Sequence, residues 1–259
     1  MERTFLLVLE FDGTDFCGWQ RQAEGRSVQS VVEQALGRLA GSPRRAIGAG
    51  RTDAGVHALG MPVSAVMPER WGAGELLRAL NAVLPGDVAV SQIREVRPGT
   101  DARRSALSRR YRYEIGLDGT SRSPFRGRTE WPLGRPLDVE ALARVAAMLP
   151  GEHDFRAFAV TGEPKPHYRC RILEASWAPR DPVRLRFTIA ADRFLHHMVR
   201  MLVGTMVDIG LGRRPENDMA RLLTLPHNAE TSAPAPAAGL SFLEASYPDT
   251  IFRAECATW

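Results

Sequence analysis

The sequence predicts an α+β protein of two similar lobes, each a mostly antiparallel sheet flanked by helices. Alternating apolar runs typical of strands are interleaved with amphipathic runs typical of helices. The same order of runs recurs in the second half of the chain. Between the halves, Pro98-Gly99 interrupts the pattern. We therefore predict an N-terminal domain of residues 1–98 and a C-terminal domain of residues 99–259.

The first half starts with a strand and contains two helices. The run from Thr4 to Asp12 alternates and stops at Asp12-Gly13, a turn signal. Residues 27–40 repeat apolar side chains at helical spacing, and the Ser30/Glu33 pair resembles a capping box. The other elements predicted here are strands near 46–50, 61–67 and 87–95 and a helix over 74–83.

The second half follows the same order. Residues 109–117 alternate as a strand, and residues 138–149 form a predicted helix with Asp138 as its cap. Residues 231–238 (TSAPAPAA) are low in complexity and predict an extended connector. The remaining predictions are strands at 172–177, 183–190 and 240–247, a long apolar helix over 192–210 and a short helix over 216–225.

Composition is that of an ordinary globular protein with a core large enough to need neither metal nor disulfide. No run approaches the roughly 20 apolar residues that cross a bilayer, and the first residues lack the features of a signal peptide. We therefore expect a cytoplasmic protein without a membrane partner. The three cysteines, Cys17, Cys170 and Cys256, are too scattered to suggest a disulfide framework or a zinc site.

Positive charge is concentrated in one tract. The net charge is +4, and Lys165 is the only lysine, so the cations are nearly all arginine. Between Arg94 and Arg135 there are eleven arginines against five acids. Arginine pairs with phosphate and stacks on bases, so the tract favours a nucleic-acid partner. A solvated face whose charges pair elsewhere in the fold accounts for it equally well from charge alone.

The segment from Gly48 to His57 is the strongest candidate for chemistry. Three glycines within eight residues allow unusual backbone angles and close approach of a ligand. Asp53 is its one carboxylate, and Arg51 lies two residues before it. A nearby cation lowers the pKa of a carboxyl group, and an ionised, partly desolvated carboxylate is a competent nucleophile. The alternative is structural, with Asp53 capping the turn and Arg51 pairing with it at the surface. A phosphate-binding loop is excluded because no GxxxxGK[ST] occurs.

Seven motifs in order along the chain resemble those of the tRNA pseudouridine synthase A family. The most specific is GAGRTDAGVHALG, residues 48–60, which is similar to the signature loop of that family. The others are FDGTDFCGWQ (11–20), LNAVLPGD (80–87), SALSRRYRY (105–113), GEHDF (151–155), FLHHMVR with VGT (194–205) and APAAGL (235–240).

This resemblance implies the pseudouridine synthase fold, with the active-site cleft between the two lobes. It implies isomerisation of uridines at tRNA positions 38, 39 and 40, in the anticodon stem-loop. Asp53 would be the catalytic aspartate, and Arg51 would assist extrusion of the base. The resemblance also implies a homodimer, tRNA as partner, and no cofactor or metal.

Further roles follow from the resemblance in the second half. Tyr111 would lie against the uracil and serve as the base for the C5 proton. Arg200 would pair with Asp53, and Leu240 would form a wall of the pocket. Arg109 and Arg110, which precede Tyr111, are expected to contact the substrate. His196-His197 suggests a metal at first sight, but adjacent residues on a predicted helix point about 100° apart, so we expect no metal site.

The chain departs from the family pattern in three places. Asp101 stands where a histidine is usual, Arg104 where a phenylalanine is usual, and Met61 where a glutamine often follows the signature loop. These changes affect expected RNA contacts or local packing rather than the catalytic set.

Three other functions share part of this pattern. An RNA-binding protein that has lost catalysis would keep the arginine tract but tolerate changes at Asp53, Tyr111 and Arg200, all of which are present. A synthase for another uridine or another RNA would share these motifs, because target choice depends on RNA shape. A glycoside-processing enzyme would require two opposed carboxylates, whereas the loop offers one.

Overall fold

The computed structural model describes residues 1–160 and 167–252, so Lys165 and Cys256 lie outside the described residues. The strands are β1 (Glu2–Phe11), β2 (Ala46–Gly48), β3 (His57–Pro68), β4 (Val88–Val96), β5 (Ser108–Gly116), β6 (Trp131–Pro132), β7 (Gly151–Asp154), β8 (Arg169–Asp181), β9 (Arg184–Ala191) and β10 (Leu240–Ser246). The α-helices are α1 (Val28–Ala40), α2 (Ala73–Val83), α3 (Val139–Ala146), α4 (Met198–Gly210) and α5 (Asp218–Leu222).

These elements confirm the α+β class with mostly antiparallel pairing. Within the described residues, β1 pairs antiparallel with β3 and β4, and β8 pairs antiparallel with β7 and β9. The short strand β6 is parallel to β5. The described part of the chain forms two compact units, one within Met1–Arg109 and from Phe242 onward, the other within Arg110–Ser241. Strand β10 thus belongs to the first unit from Phe242 onward, whereas the predicted division after residue 98 places all of it in the C-terminal domain.

The first unit is built on the strand order β4-β1-β3-β10, with β2 added beside β3. Phe5, Leu7 and Leu9 alternate on one face of β1 and are fully buried. Apolar residues of α1 and α2 are buried as well, and both helices pack on strands of this sheet. This core supports the loop between β2 and β3.

The predicted cap of α1 was wrong by one turn. The helix starts at Val28, and the Ser27 hydroxyl accepts the Ser30 backbone N–H at 3.2 Å, so Ser27 is the N-cap. Glu33 does not complete a capping box. Its Oε1 instead accepts the Ala46 N–H at 3.1 Å and so joins α1 to β2.

The second unit has the strand order β5-β9-β8-β7. Tyr113, Ile115, Phe187 and Ile189 are fully buried, and α3 and α4 pack together, with α3 also against β8. The Asp138 carboxylate accepts the Ala141 N–H at 2.9 Å, which confirms the predicted cap of α3.

Helix α4 begins six residues later than the sequence pattern indicates. Asp192 stays with the sheet, because its N–H donates to the Arg171 carbonyl at 3.1 Å and its carboxylate accepts the Arg171 N–H at 2.9 Å. His197 has a left-handed backbone with φ of 62°, and the helix starts at Met198. The two histidines therefore precede the helix, and the argument that helical geometry separates their rings was wrong. The ring centroids lie 4.1 Å apart.

Helix length bears on the membrane question. Among the described residues, the longest helices are α1 and α4, with 13 residues each. Crossing a bilayer takes about 20. Across residues 1–160 and 167–252, no helix is long and apolar enough to do so.

Candidate active site

The loop that carries Asp53 is fixed near its start and in its middle by main-chain hydrogen bonds. Near its start, the Ala49 N–H donates to the Pro62 carbonyl at 2.8 Å. In its middle, the Thr52 carbonyl accepts the Trp19 N–H at 3.0 Å. Gly18 makes this approach possible, because its φ is 109° and a Cβ there would lie 2.7 Å from the Thr52 oxygen. The FDGTDFCGWQ segment thus packs against the signature loop and holds its backbone.

Asp53 is half-buried at the head of a turn. Its carbonyl accepts the Val56 N–H at 3.2 Å, and the neighbouring Thr52 is buried. The turn that the structural alternative predicted is therefore present. The carboxylate is nevertheless carried on a constrained backbone without being enclosed, which is the condition a reactive group needs to meet a substrate.

Arg51 lies on the exposed side of the same loop, and its electrostatic neighbour is a residue that the sequence did not single out. Partial burial and the guanidinium of Arg103 together lower the pKa of Arg51 from its usual value. Arg51 nevertheless stays cationic at neutral pH. The loop with Asp53 is thus bordered by two arginines rather than one.

Arg109 connects this loop to the segment 101–106. Its Nε–H donates to the Ala49 carbonyl at 3.1 Å, and one Nη donates to the Ala106 carbonyl at 3.1 Å. The other Nη donates to the Arg103 carbonyl. Three donors of one guanidinium therefore fix three main-chain carbonyls, a use that suits the planar fork of arginine.

The other arginine expected to bind substrate has a protein partner as well. Arg110 forms an ion pair with Glu174 of β8 at 3.1 Å, and both side chains are well exposed. Exposed pairs of this kind contribute about 0–1 kcal/mol. The pair can therefore be exchanged for a phosphate contact at little cost.

In the second unit, Tyr111 is placed by β5 and packs edge-on against Phe194. The ring centroids are 5.0 Å apart and the planes meet at 86°. Only 7% of Tyr111 is exposed. This arrangement fixes the phenol ring, since edge-to-face pairs stabilise one ring orientation.

Arg200 is fixed on α4 by the connector, residues 231–238, which overlaps the APAAGL motif. Its Nε–H donates to the Ala235 carbonyl at 2.7 Å, and the Ala235 N–H donates to the Arg200 carbonyl at 2.9 Å. One turn further along the helix, a Cβ on Gly204 would lie 2.2 Å from the Ala233 carbonyl oxygen. The next residue, Thr205, accepts the Ser232 N–H with its hydroxyl at 3.3 Å. The VGT motif thus packs against the connector through Gly204 and Thr205.

Tyr113 is a site residue that sequence reasoning missed. It lies two residues after Tyr111, on the same face of β5, and this period of two was the available signal. Its hydroxyl donates to the Pro236 carbonyl at 2.7 Å. Burial raises the pKa of Tyr113 well above its usual value, and the positive charge of Arg200 opposes that shift. Tyr113 therefore stays neutral and holds the connector beside Arg200.

Leu240 follows directly from this connector. It comes after the 3₁₀ turn Ala237–Gly239, begins β10 and is 5% exposed. The second unit thus brings Tyr111, Arg200 and Leu240 onto elements joined by the connector. The first unit brings together Arg51, Asp53 and Arg109.

The three family departures have local explanations. Asp101 caps its own turn, because its carboxylate accepts the Arg103 and Arg104 N–H groups at 2.8 and 2.9 Å. Arg104 is exposed, so its charge is solvated. Met61 is fully buried in β3, where an apolar side chain is favourable.

Comparison with known sequences gives the family. Residues 7–101 and 145–248 match the family described as tRNA pseudouridine synthase. The chain is similar to proteins named tRNA pseudouridine synthase A from three bacteria. Identity is 40% with that of Myxococcus xanthus over 243 residues, covering 94% of this chain and 91% of the relative. It is 41% with that of Moorella thermoacetica over 248 residues, covering 93% and 98%. It is 39% with that of Thermus thermophilus over 251 residues, covering 95% and 98%. Because the family match spans more than half of the chain and the identities extend over nearly all of it, this chain belongs to the tRNA pseudouridine synthase family and is an enzyme of that isomerase family.

Proposed function

We propose that this chain converts uridines to pseudouridine at positions 38, 39 and 40 of the tRNA anticodon stem-loop, with Asp53 as nucleophile and with the target base flipped out. The observation that carries the proposal is Asp53 itself, half-buried on a loop whose backbone is fixed at Ala49 and Thr52. The same loop has the sequence GAGRTDAGVHALG, and relatives named tRNA pseudouridine synthase A align with it over nearly the whole chain.

The reaction exchanges one bond for another within a single nucleotide. The N1–C1′ bond breaks, the uracil turns, and a C5–C1′ bond forms. The C5 proton is lost and N1 gains one, so the composition of the nucleotide does not change. The Asp53 carboxylate acts either by adding to the uracil or by stabilising C1′ of the ribose while the base is detached.

Proton removal from C5 is assigned to Tyr111. A phenol with a usual pKa of about 10 is a weak base, so it requires a cation or the Asp53 carboxylate to assist it. Arg200 lies on α4 of the same unit as Tyr111, and the Ala235 carbonyl fixes its position. Its guanidinium group is the cation assigned to assist Tyr111. Leu240 supplies apolar surface against the uracil.

Base extrusion is assigned to Arg51. Unstacking one base costs a few kcal/mol, and an arginine that fills the vacated space and pairs with phosphate offsets that cost. Arg51 is exposed and follows the fixed residue Ala49 by two positions, so its side chain is available to RNA while its backbone is held.

The assembly and location belong to the same proposal. We expect a homodimer in which one tRNA contacts both subunits, acting in the cytoplasm, where its substrate is. Light scattering at micromolar concentration checks the dimer, and a monomer would contradict it.

The test is tritium release from tRNA labelled at C5 of uridine. The wild type should release tritium, and Asp53→Asn should reduce the rate at least about 1,000-fold while still binding tRNA, because it removes the nucleophilic charge without changing shape. Glu24→Gln, which removes an exposed carboxylate of the same unit, is the matched control and should keep the wild-type rate.

Each other outcome has a definite meaning. Tight tRNA binding without release from any unmodified tRNA favours the non-catalytic RNA-binding alternative. Release by Asp53→Asn at the wild-type rate keeps the reaction but removes Asp53 from its chemistry. Mapping the modified positions by chemical sequencing decides whether they are 38, 39 and 40 or another uridine.

A further inference from the structure

Arg103 lies near enough to Arg51, on the Asp53 loop, for its charge to lower the pKa of Arg51. The two residues are 52 positions apart in sequence, and Arg109 brings their main chains together. Its guanidinium binds the carbonyl of Ala49, two residues before Arg51, and the carbonyl of Arg103 itself. The loop and the segment 101–106 are therefore held on either side of one side chain.

Other contacts hold the backbone of Arg103 in place. The Asp101 carboxylate accepts the Arg103 N–H at 2.8 Å. The preceding residue, Ala102, is fully buried. Its N–H donates to the Ser64 hydroxyl at 3.0 Å, and its carbonyl accepts the Tyr247 hydroxyl at 2.7 Å. The turn is thus tied to β3 and to the residue that follows β10, while the side chain of Arg103 stays exposed.

The pair of arginines carries a repulsion that an anion would relieve. The pKa of Arg51 is lowered by partial burial and by the charge of Arg103. Like charges held near each other destabilise the free protein, and an anion bound between them is attracted by both and so offsets their repulsion. Two guanidinium groups present several donors to the oxygens of one phosphate, which is the anion that arginine recognises best.

We infer that Arg51 and Arg103 together bind one phosphate of the substrate RNA, with Arg109 and Asp101 as the positioning residues of this site. The inference rests on the proposed function for the identity of the RNA. It assigns Arg103 a role in substrate binding that is separate from the chemistry at Asp53. The phosphate is one close to the flipped nucleotide, since Arg51 lies on the loop of Asp53.

The test compares two neighbouring arginines of the same turn. Arg103→Gln and Arg104→Gln each remove one exposed positive charge, and in both the Asp101 carboxylate keeps its backbone partners. The contact from Arg109 goes to the main chain of Arg103, so the substitution leaves it in place. Equilibrium binding of a fluorescent anticodon stem-loop is measured at several salt concentrations, with thermal unfolding as the check on folding.

Arg103→Gln should weaken binding by at least about 10-fold, the value of one lost charge-assisted hydrogen bond. It should also reduce the slope of log K against log salt by about 0.7–0.9, the release of one counterion. Arg104→Gln should change the affinity by less than about 3-fold. Equal losses in the two variants would overturn the inference, because the arginines would then act only through general charge.

A double-mutant cycle tests whether the phosphate is shared. If Arg51 and Arg103 hold the same phosphate, the loss in Arg51→Gln/Arg103→Gln should differ from the product of the single losses. Independent losses would overturn the shared site.

Failure of the proposed function can be told apart from failure of this inference. Wild-type protein that binds the stem-loop but releases no tritium refutes the function alone. An active wild type whose Arg103→Gln and Arg104→Gln variants lose equal affinity refutes the inference alone.

Discussion

Arg109 illustrates how a charged residue in an arginine tract can serve the protein rather than the ligand. Its guanidinium donates to the carbonyls of Ala49, Ala106 and Arg103. These hydrogen bonds orient the Asp53 loop and the segment 101–106. Sequence alone predicted an RNA contact here, because it shows that a residue is a cation but not where its donors point. That assignment stays a prediction, and Arg103 is the residue that the geometry favours for phosphate.

Tyr113 allows a residue-scale prediction from pH. Its pKa is raised in the folded protein by burial, so the folded state keeps the phenol proton at pH values where the unfolded chain loses it. Its contribution to stability is therefore complete below the unfolded pKa of about 10 and is lost as pH rises beyond it, by up to about 1.4 kcal/mol per pH unit.

The measurement is urea unfolding between pH 8 and 11 for the wild type and Tyr113→Phe. The variant should lose about 1–3 kcal/mol at pH 8, because the Pro236 carbonyl loses its donor. Above pH 10 its free energy of unfolding should fall less steeply than that of the wild type. Parallel curves would mean that Tyr113 does not titrate as its burial implies. Tyr247, whose pKa burial also raises, is present in both proteins and cancels in the comparison.

At the scale of elements, α4 and the connector act as one piece. Arg200, Gly204 and Thr205 of the helix lie against Ala235, Ala233 and Ser232 of the connector in turn. The sequence predicted an extended connector over 231–238, of which residues 237 and 238 lie in a 3₁₀ turn. It gave no sign of what the connector packs against. Low-complexity composition predicts only a local conformation. The packing of the connector on α4 depends on Gly204, which has no side chain, and composition gives no signal for that contact.

Gly204→Ala is expected to disturb the packing of the connector on α4. Its Cβ would lie 2.2 Å from the Ala233 oxygen, so the connector must move. Stability should fall by about 1–3 kcal/mol. If the connector positions Arg200 for the proposed reaction, kcat should fall more than the affinity for tRNA.

Gly37→Ala is the matched control, since Gly37 is also a helical glycine and its Cβ would meet nothing closer than 3.6 Å. It should be neutral or stabilising by up to about 1 kcal/mol. Thermal unfolding and tritium-release kinetics of both variants check the pair of expectations. A Gly204→Ala protein as stable and active as the Gly37 variant would show that the close approach is not needed.

For the whole molecule, the sequence predicted the fold class and the order of the elements because each strand and helix has its own periodicity. It also gave Asp53 as the candidate nucleophile, because a glycine-rich loop with one carboxylate is a local pattern, and that role stays a prediction. It missed β6 and β7, which are four residues or shorter, and it extended α4 across the left-handed His197. Contacts between segments far apart in sequence leave no pattern in the local sequence. Examples are the hydrogen bonds of Arg109 and the position of β10 next to β3.

The return of β10 gives a prediction about which residues fold together. Beyond the sheet order β3-β10, the contacts that join the C-terminal segment to residues 1–109 include three hydrogen bonds. The Leu107 N–H donates to the Ser246 carbonyl at 2.9 Å, the Tyr247 hydroxyl to the Ala102 carbonyl at 2.7 Å, and the Arg97 N–H to the Ile251 carbonyl at 2.8 Å. Truncation after Ser241 removes these partners and exposes the edge of β3.

Hydrogen exchange of the protein truncated after Ser241, measured by mass spectrometry, should show lost protection in residues 1–109. Residues 110–241 should retain more of their protection, because the second unit is continuous in sequence and has its own core. Truncation after Phe252 is the control, since it keeps every contact named above. Loss of protection confined to residues 99–241 would instead support a folding boundary at residue 98, because the strand would then belong to the C-terminal domain. The two divisions thus predict opposite patterns from a single pair of truncated proteins.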